Sequence, residues 1–166
     1  MQQNPFNRPT NQPDSYKTLI VFRKSECVYD ITFYFVSRFL ERSHDRTVDQ
    51  MQQAARSGKQ NIVEGYSDAE GSTEIEHKLT VIAKGSLEEL KEDYKDYLRN
   101  HGLEIWGPQH PKYRMAQPLC RRINDSAWYR RQIEGRCAEE IANIALIVIH
   151  QTLAMLRGLI DYQNRK

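Results

Sequence analysis

The densest chemistry in this chain of 166 residues lies between positions 112 and 136. Lys112, Arg114, Arg121, Arg122, Arg130, Arg131 and Arg136 stand there against only Asp125 and Glu134, with Tyr113, Trp128 and Tyr129 interleaved. Guanidinium groups beside aromatic rings suit single-stranded nucleic acid, through phosphate contacts and base stacking. On that reading Arg121, Arg122, Arg130, Arg131 and Arg136 meet phosphates, and Trp128 and Tyr129 offer ring faces. Arg56 and Lys59 are a secondary basic pair. Residues 64–96 have the opposite sign, their acids outnumbering their lysines. The basic segment could instead pack on that acidic stretch, within one chain or across a subunit boundary, since charge runs are more often solvated faces than sites.

Other constellations are thinner. Ser57, Asn61 and Glu64 follow at i, i+4 and i+7 and share one helix face. They make either a polar ligand site or a hydrogen-bond network that fixes two helices together, with Ser86 as the partner across the contact. Glu74 and His77 form one Glu-x-x-His, whereas di-iron bundles need two such motifs plus further glutamates. Its place in a first helical turn is where acids already favour the helix dipole. His44, His101 and His110 fall in loops without ligand spacing, and His150 lies in an apolar helix as a core or interface histidine. No Gly-x-Ser-x-Gly and no phosphate-cradling glycine loop occurs. No catalytic residue, metal site or cofactor is expected.

The elements that must position these groups are helical. From Tyr16, the residues Leu19, Phe22, Glu26, Tyr29, Phe33, Val36 and Leu40 step by three and four, the period of a bundle seam. That spacing outweighs a strand reading of Ile31 to Val36. Ser43–Asp45 makes a loop. Thr47 with Gln50, and Thr73 with Glu76, read as capping boxes. The second helix carries the seam Met51, Ala55, Gly58, Ile62 and Gly65, whose small residues allow close approach of a neighbour. Gly65 and Gly71 bracket the next turn. The third helix carries Ile75, Leu79, Ile82, Ser86, Leu90, Tyr94 and Tyr97 and stops at Asn100–Gly102, with Gly102 as a left-handed cap. Residues 103–118, with Trp106 and three prolines, read as an irregular connection holding a short helix from Lys112. In the last helix Ile141, Ala145, Val148, Thr152, Met155 and Leu159 lie beside a second seam of Ala142, Leu146, Ile149, Leu153, Leu156 and Ile160. An arc that wide exceeds what a surface helix needs, and in a bundle of four it points to subunit contact.

Composition bounds the class. The net charge of +2 excludes a uniformly basic protein, and 39% apolar with 28% charged residues describes a soluble globular chain. No uninterrupted apolar run reaches a membrane span, and residues 1–14, rich in Gln, Asn and Pro, read as a disordered tail rather than a signal peptide. Cys27, Cys120 and Cys137, odd in number and widely spaced, fit reduced thiols of a cytoplasmic protein.

Two words in the second and third helices carry a resemblance. Ala54-Ala55-Arg56-Ser57-Gly58-Lys59-Gln60-Asn61-Ile62-Val63-Glu64-Gly65 and Ala83-Lys84-Gly85-Ser86-Leu87-Glu88-Glu89-Leu90 resemble signatures of a bacterial four-helix-bundle family. Its members were first noted as products of intervening sequences in 23S ribosomal RNA genes. The likeness covers residues 16–100. Gly58-Lys59 stands where that family usually has Ile-Pro, and residues 103–136 are longer than its short members carry. The resemblance implies an up-down-up-down bundle, often a ring of five. It also implies kinship with accessory proteins of diversity-generating retroelements, which bind nucleic acid and a reverse transcriptase. The expectation is therefore an all-α, up-down-up-down antiparallel four-helix bundle over residues 15–166, extended between its third and fourth helices. It is expected to form a homo-oligomer that binds RNA without catalysis and without a membrane. A protein-binding scaffold and a metallo-bundle enzyme are the rival readings.

Overall fold

The structure, a computed structural model, describes residues 13–41, 47–68 and 73–165. Those residues form an all-α fold of six helices with no strand. The helices are α1 (Pro13–Phe39), α2 (Thr47–Asp68), α3 (Thr73–Asn100), α4 (Pro111–Arg122), α5 (Ser126–Ile133) and α6 (Ala138–Asn164). α1 opens at Pro13, inside the tail expected over 1–14. The rest of that tail, the Ser43–Asp45 loop and the turn at Gly71 lie outside the described residues.

Local chemistry sets several helix ends. Gly102 follows α3 with φ +63°. Its N–H donates to the Arg99 carbonyl at 3.1 Å, and the Leu103 N–H donates to the Leu98 carbonyl at 2.8 Å. This is a Schellman cap, whose positive φ favours glycine. The connection beyond it is irregular over 103–110 and then carries the short helix expected from Lys112, as α4; the second short helix, α5, was not anticipated. His110 caps α4 by accepting from the Lys112 N–H at 3.1 Å, with Pro111 at a position that has no hydrogen bond to lose. Asp125 caps α5 by accepting from the Ala127 N–H at 3.0 Å.

The long helices pack α1 on α2, α2 on α3, α3 on α6 and α6 on α1. The α2 seam is buried as expected, from Met51 through Gly65. The α1 seam is displaced. Val36 is buried as expected, but otherwise the buried stripe is Val21, Ser25, Val28, Ile31, Thr32 and Phe35, while Phe33 is 51% exposed. Both stripes satisfy the same three/four spacing, and the large rings of Phe22, Tyr29 and Phe33 pulled the reading to the flank. The α3 stripe is Thr80, Ala83, Leu87, Leu90, Tyr94 and Leu98: Leu90 and Tyr94 are buried as expected, whereas Ile75 and Ile82 are exposed. Phe35 of α1 meets Tyr94 and Tyr97 of α3 at centroid distances of 5.1 and 4.8 Å, and the Tyr94 hydroxyl donates to Thr32 Oγ1 at 2.9 Å.

The wide apolar arc of α6 is covered inside the chain. α6 packs on α1, α3 and also α4, so Leu146 and Leu153 are buried without any partner molecule. The arc therefore gives no ground for subunit contact, because a third intramolecular neighbour was missing from the count of helices. α6 is long and apolar enough by length and composition to cross a membrane, but half of its apolar window is buried by its own chain, as in a core helix.

Candidate nucleic-acid interface

α4 and α5 form an arm mounted on the long helices. α5 packs on α1 and α4 on α6. The mount joins the buried Cys120, Tyr129 and Ile133 to a set of polar ties. Lys24, wholly buried on α1, donates through Nζ to the Cys120 carbonyl at 2.6 Å and to Gln151 Oε1 at 3.1 Å. Gln151 in turn donates to the Gln117 carbonyl at 3.1 Å. Cys120 lies in the last turn of α4, where carbonyls lack helical partners and carry partial negative charge. That is where a buried cation can be accommodated. Burial pushes the Lys24 pKa below its ordinary value. Burial also raises the Cys27 thiol to about 12, which leaves it without the thiolate a nucleophile needs.

Asn143, buried on α6, holds the segment before α4. Its Oδ1 accepts from the Trp106 N–H at 2.8 Å. Its Nδ2 donates to the Glu104 and Glu139 carbonyls at 2.9 and 2.8 Å. Trp106 is thereby fixed with its ring stacked on His110 at 5.2 Å. Sequence reasoning passed over Lys24 and Asn143. The only available signal was a lysine and an asparagine on otherwise apolar helix faces.

The expected site residues divide. Arg121, Arg122 and Arg131 are exposed and carry no ion pair among the described residues. Arg130 is exposed and 3.5 Å from Asp30 of α1. Arg136 is exposed but engaged, donating to Glu140 at 2.7 Å. Trp128 is half-buried. Tyr129 is fully buried, its hydroxyl directed at the Ile123 and Cys120 carbonyls at 2.8 and 3.1 Å. It closes the α4–α5 turn and cannot stack on a base, which corrects the sequence assignment. Burial raises its phenol pKa well above the usual range. Arg56 and Lys59 lie on α2, whose substantial contacts are with α1 and α3 only, so they do not join the arm. Lys59 sits 4.2 Å from the Tyr29 ring centroid, a cation–π contact within the chain.

Between α4, α5 and α6 lies a cavity of about 320 Å³, lined by Trp106, Met115, Leu119, Trp128, Arg136 and Ile144 among others. Trp106 also borders a smaller cavity of about 240 Å³ beside His150. His150 is exposed rather than a core residue. Desolvation, with Lys91, Lys95 and Arg157, lowers its pKa.

The polar residues of α2 and α3 do meet. The Ser57 and Ser86 hydroxyls are 2.8 Å apart, and Asn61 Nδ2 donates to the Ser57 carbonyl at 2.8 Å and to its Oγ at 3.0 Å. Glu64 is exposed and outside this network, contrary to its grouping by spacing. Beside it Gln50, Gln53, Glu89, Glu92 and Asp93 line an acidic groove of about 650 Å³. Burial, then Asp96, Glu89 and Glu92, push Asp93 up to about 6. Glu74 and His77 sit in the first turns of α3, and no three His, Cys, Asp or Glu side chains gather as a cation site among the described residues. Comparison with protein families, curated proteins and solved structures finds no match to this chain.

Proposed function

We propose that this protein is a non-catalytic, cytoplasmic helical bundle that binds single-stranded nucleic acid, RNA in the first instance, on the α4–α5 arm. The observation that carries the reading is the arm's placement. Its substantial contacts are with α1 and α6, not with the acidic α3, so Arg121, Arg122 and Arg131 are left facing solvent. The cis alternative, in which the basic segment neutralises α3 of its own chain, gains no support from that packing.

The cyclic contacts of α1, α2, α3 and α6 support the finer topology, an up-down-up-down bundle with α4 and α5 inserted before its last helix. The two words of the family resemblance fall on α2 and α3 and meet through Ser57 with Ser86, which suits a shared architecture. The homo-oligomer, a ring of five by that resemblance, then rests on exposed Ile75, Val81 and Ile82 of α3 and on the opposite charges of α3 and the arm. Light scattering that shows a monomer removes it.

Replacing Arg121, Arg122, Arg130 and Arg131 together by Gln should weaken binding of every single-stranded RNA tested. It should also reduce the slope of log affinity against log salt by up to about 0.7 for each lost contact. Electrophoretic mobility at two salt concentrations reads both. A wild type that binds no RNA at low salt refutes the proposal. It would favour the scaffold alternative, in which the arginines meet the acidic groove of another copy or another protein.

A further inference from the structure

The cavity on the arm has features that phosphate binding alone does not use. Both tryptophans of the chain, Trp106 and Trp128, line it. Met115 and Leu119 stand at it 74% and 38% exposed, which is a large apolar exposure for side chains with no protein neighbour to meet. Lys112 and Arg136 border the same space with Glu140 as their one acidic neighbour there. Trp106 is 7% exposed, and its indole N–H has no acceptor among the described residues. A buried donor left unpaired is destabilising, and such groups in a native fold call for an explanation.

We infer that this cavity receives one unstacked base of a single-stranded RNA, with the adjoining phosphates on Lys112 and Arg136. The inference rests on the nucleic-acid reading above and names the part of the ligand that the arm recognises. About 320 Å³ is at the small end of ligand pockets, on the scale of one planar ring system rather than a duplex end. Indole walls match the π-face that every base offers. The excess of cations over Glu140 selects a ligand with an anionic handle on an aromatic body. An aliphatic anchor from a partner protein would fill the apolar space but leave the Trp106 indole N–H unpaired. A base carries ring-nitrogen and carbonyl acceptors at its edge; the Trp106 Nε1, enclosed in the fold, is reached by one of them only if the indole turns.

The chain reports on this site by itself, because its only two tryptophans are in the cavity wall. Oligoadenylate of twelve nucleotides, end-labelled for anisotropy, is titrated into the full-length protein while tryptophan emission is followed. Emission should be quenched with the same midpoint as the anisotropy change. A labelled oligomer of equal length made of abasic sugar-phosphate should bind about 5- to 150-fold more weakly and leave emission unchanged. Ala116→Phe, which fills the cavity, should bring the oligoadenylate affinity down to the abasic level while the four-arginine salt dependence persists. Should that variant misfold, the two wild-type titrations still decide. Equal affinity for both oligomers with no quenching overturns the base pocket and leaves phosphate binding on the arm intact. Absence of binding by either oligomer at low salt overturns the proposed function and this inference with it. Quenching by an acidic, hydrophobic peptide but not by oligoadenylate also overturns it, and assigns the cavity to a protein partner.

Discussion

The α2–α3 pair and the α4–α5 arm are attached to the same bundle by different physics. α2 approaches α3 through small residues. A Cβ added at Gly58 would stand 2.7 Å from Leu87 Cδ2 and 2.9 Å from Leu87 Cγ, so the contact is made possible by the absence of a side chain. The arm enters the core through Cys120, Tyr129 and Ile133 and is tied in addition by polar groups on distant helices, buried Lys24 and half-buried Gln151, with buried Asn143 holding the segment before it. Close packing makes an interface rigid along its length and leaves its flanks for polar trim, here the acidic groove. Polar pins fix a small element at points and leave its outer face unconstrained. That is the arrangement in which exposed arginines and an apolar cavity can persist without weakening the core.

If the pins hold the arm, removing one should cost more than disturbing the seam. Asn143→Leu keeps the volume of the site but strips partners from the Trp106 N–H and the Glu104 and Glu139 carbonyls. The Glu139 carbonyl retains its place in the helix. The Trp106 backbone N–H is left buried and unpaired, whereas the carbonyl of exposed Glu104 can turn to water, for a loss of about 1–3 kcal/mol. Thermal unfolding should show a lowered midpoint, and tryptophan emission in the native state should shift to the red as Trp106 meets water. An unchanged midpoint would mean that the arm is held by its apolar contacts and that the contrast is false.

The seam comes next. Gly58→Leu drives a side chain into Leu87, which is fully buried and has nowhere to retreat. Overpacking of this kind costs about 1–3 kcal/mol, partly offset by about 1 kcal/mol of helix propensity gained on leaving glycine. Denaturant unfolding should therefore show a loss of up to about 2 kcal/mol. Gly85, on the facing helix, meets nothing within 4 Å, so Gly85→Ala should stabilise slightly. The opposite signs of the two glycine substitutions are the sharper check.

What was readable in advance follows from how local each cause is. The α2 seam was legible because Gly58, Ala54 and Ala55 signal close approach regardless of what approaches. Gly102 was legible because a helix stop is written in the residues at the stop. The stripes of α1 and α3 were legible only in part, at Val36, Leu90 and Tyr94, since neighbouring stripes share one period and only the packing partner selects between them. Lys24 and Asn143 were not legible as anchors. Their partners lie 96 and 37 residues away, and a lysine in a helix reads as solvent-facing by default. Tyr129 was misassigned for a related reason: an aromatic beside two arginines looks the same in sequence whether its ring faces solvent or closes a turn over carbonyls at 120 and 123.

The smallest effect expected concerns the acidic flank of the packed pair. Asp93 titrates in the fold near 6, raised from 3.8 first by burial and then by Asp96, Glu89 and Glu92. A carboxyl whose folded pKa is raised contributes fully below its unfolded pKa, and that contribution is lost as pH rises through the folded value. Asp93 should therefore be harmless at pH 4 and destabilising above about pH 6, the window set by those two values. A shift of this size corresponds to about 3 kcal/mol. The side chain is only half-buried, so screening reduces the effect to about 1 kcal/mol. Asp93→Asn should leave the unfolding free energy unchanged at pH 4 and raise it by that amount at pH 8. Added salt should remove the part owed to neighbouring carboxylates and keep the part owed to burial. Stabilisation that is equal at both pH values would come from the amide itself rather than from relief of charge. The groove beside Ser57 and Ser86 would then not be the strained acidic flank that sets this pair apart from the basic arm.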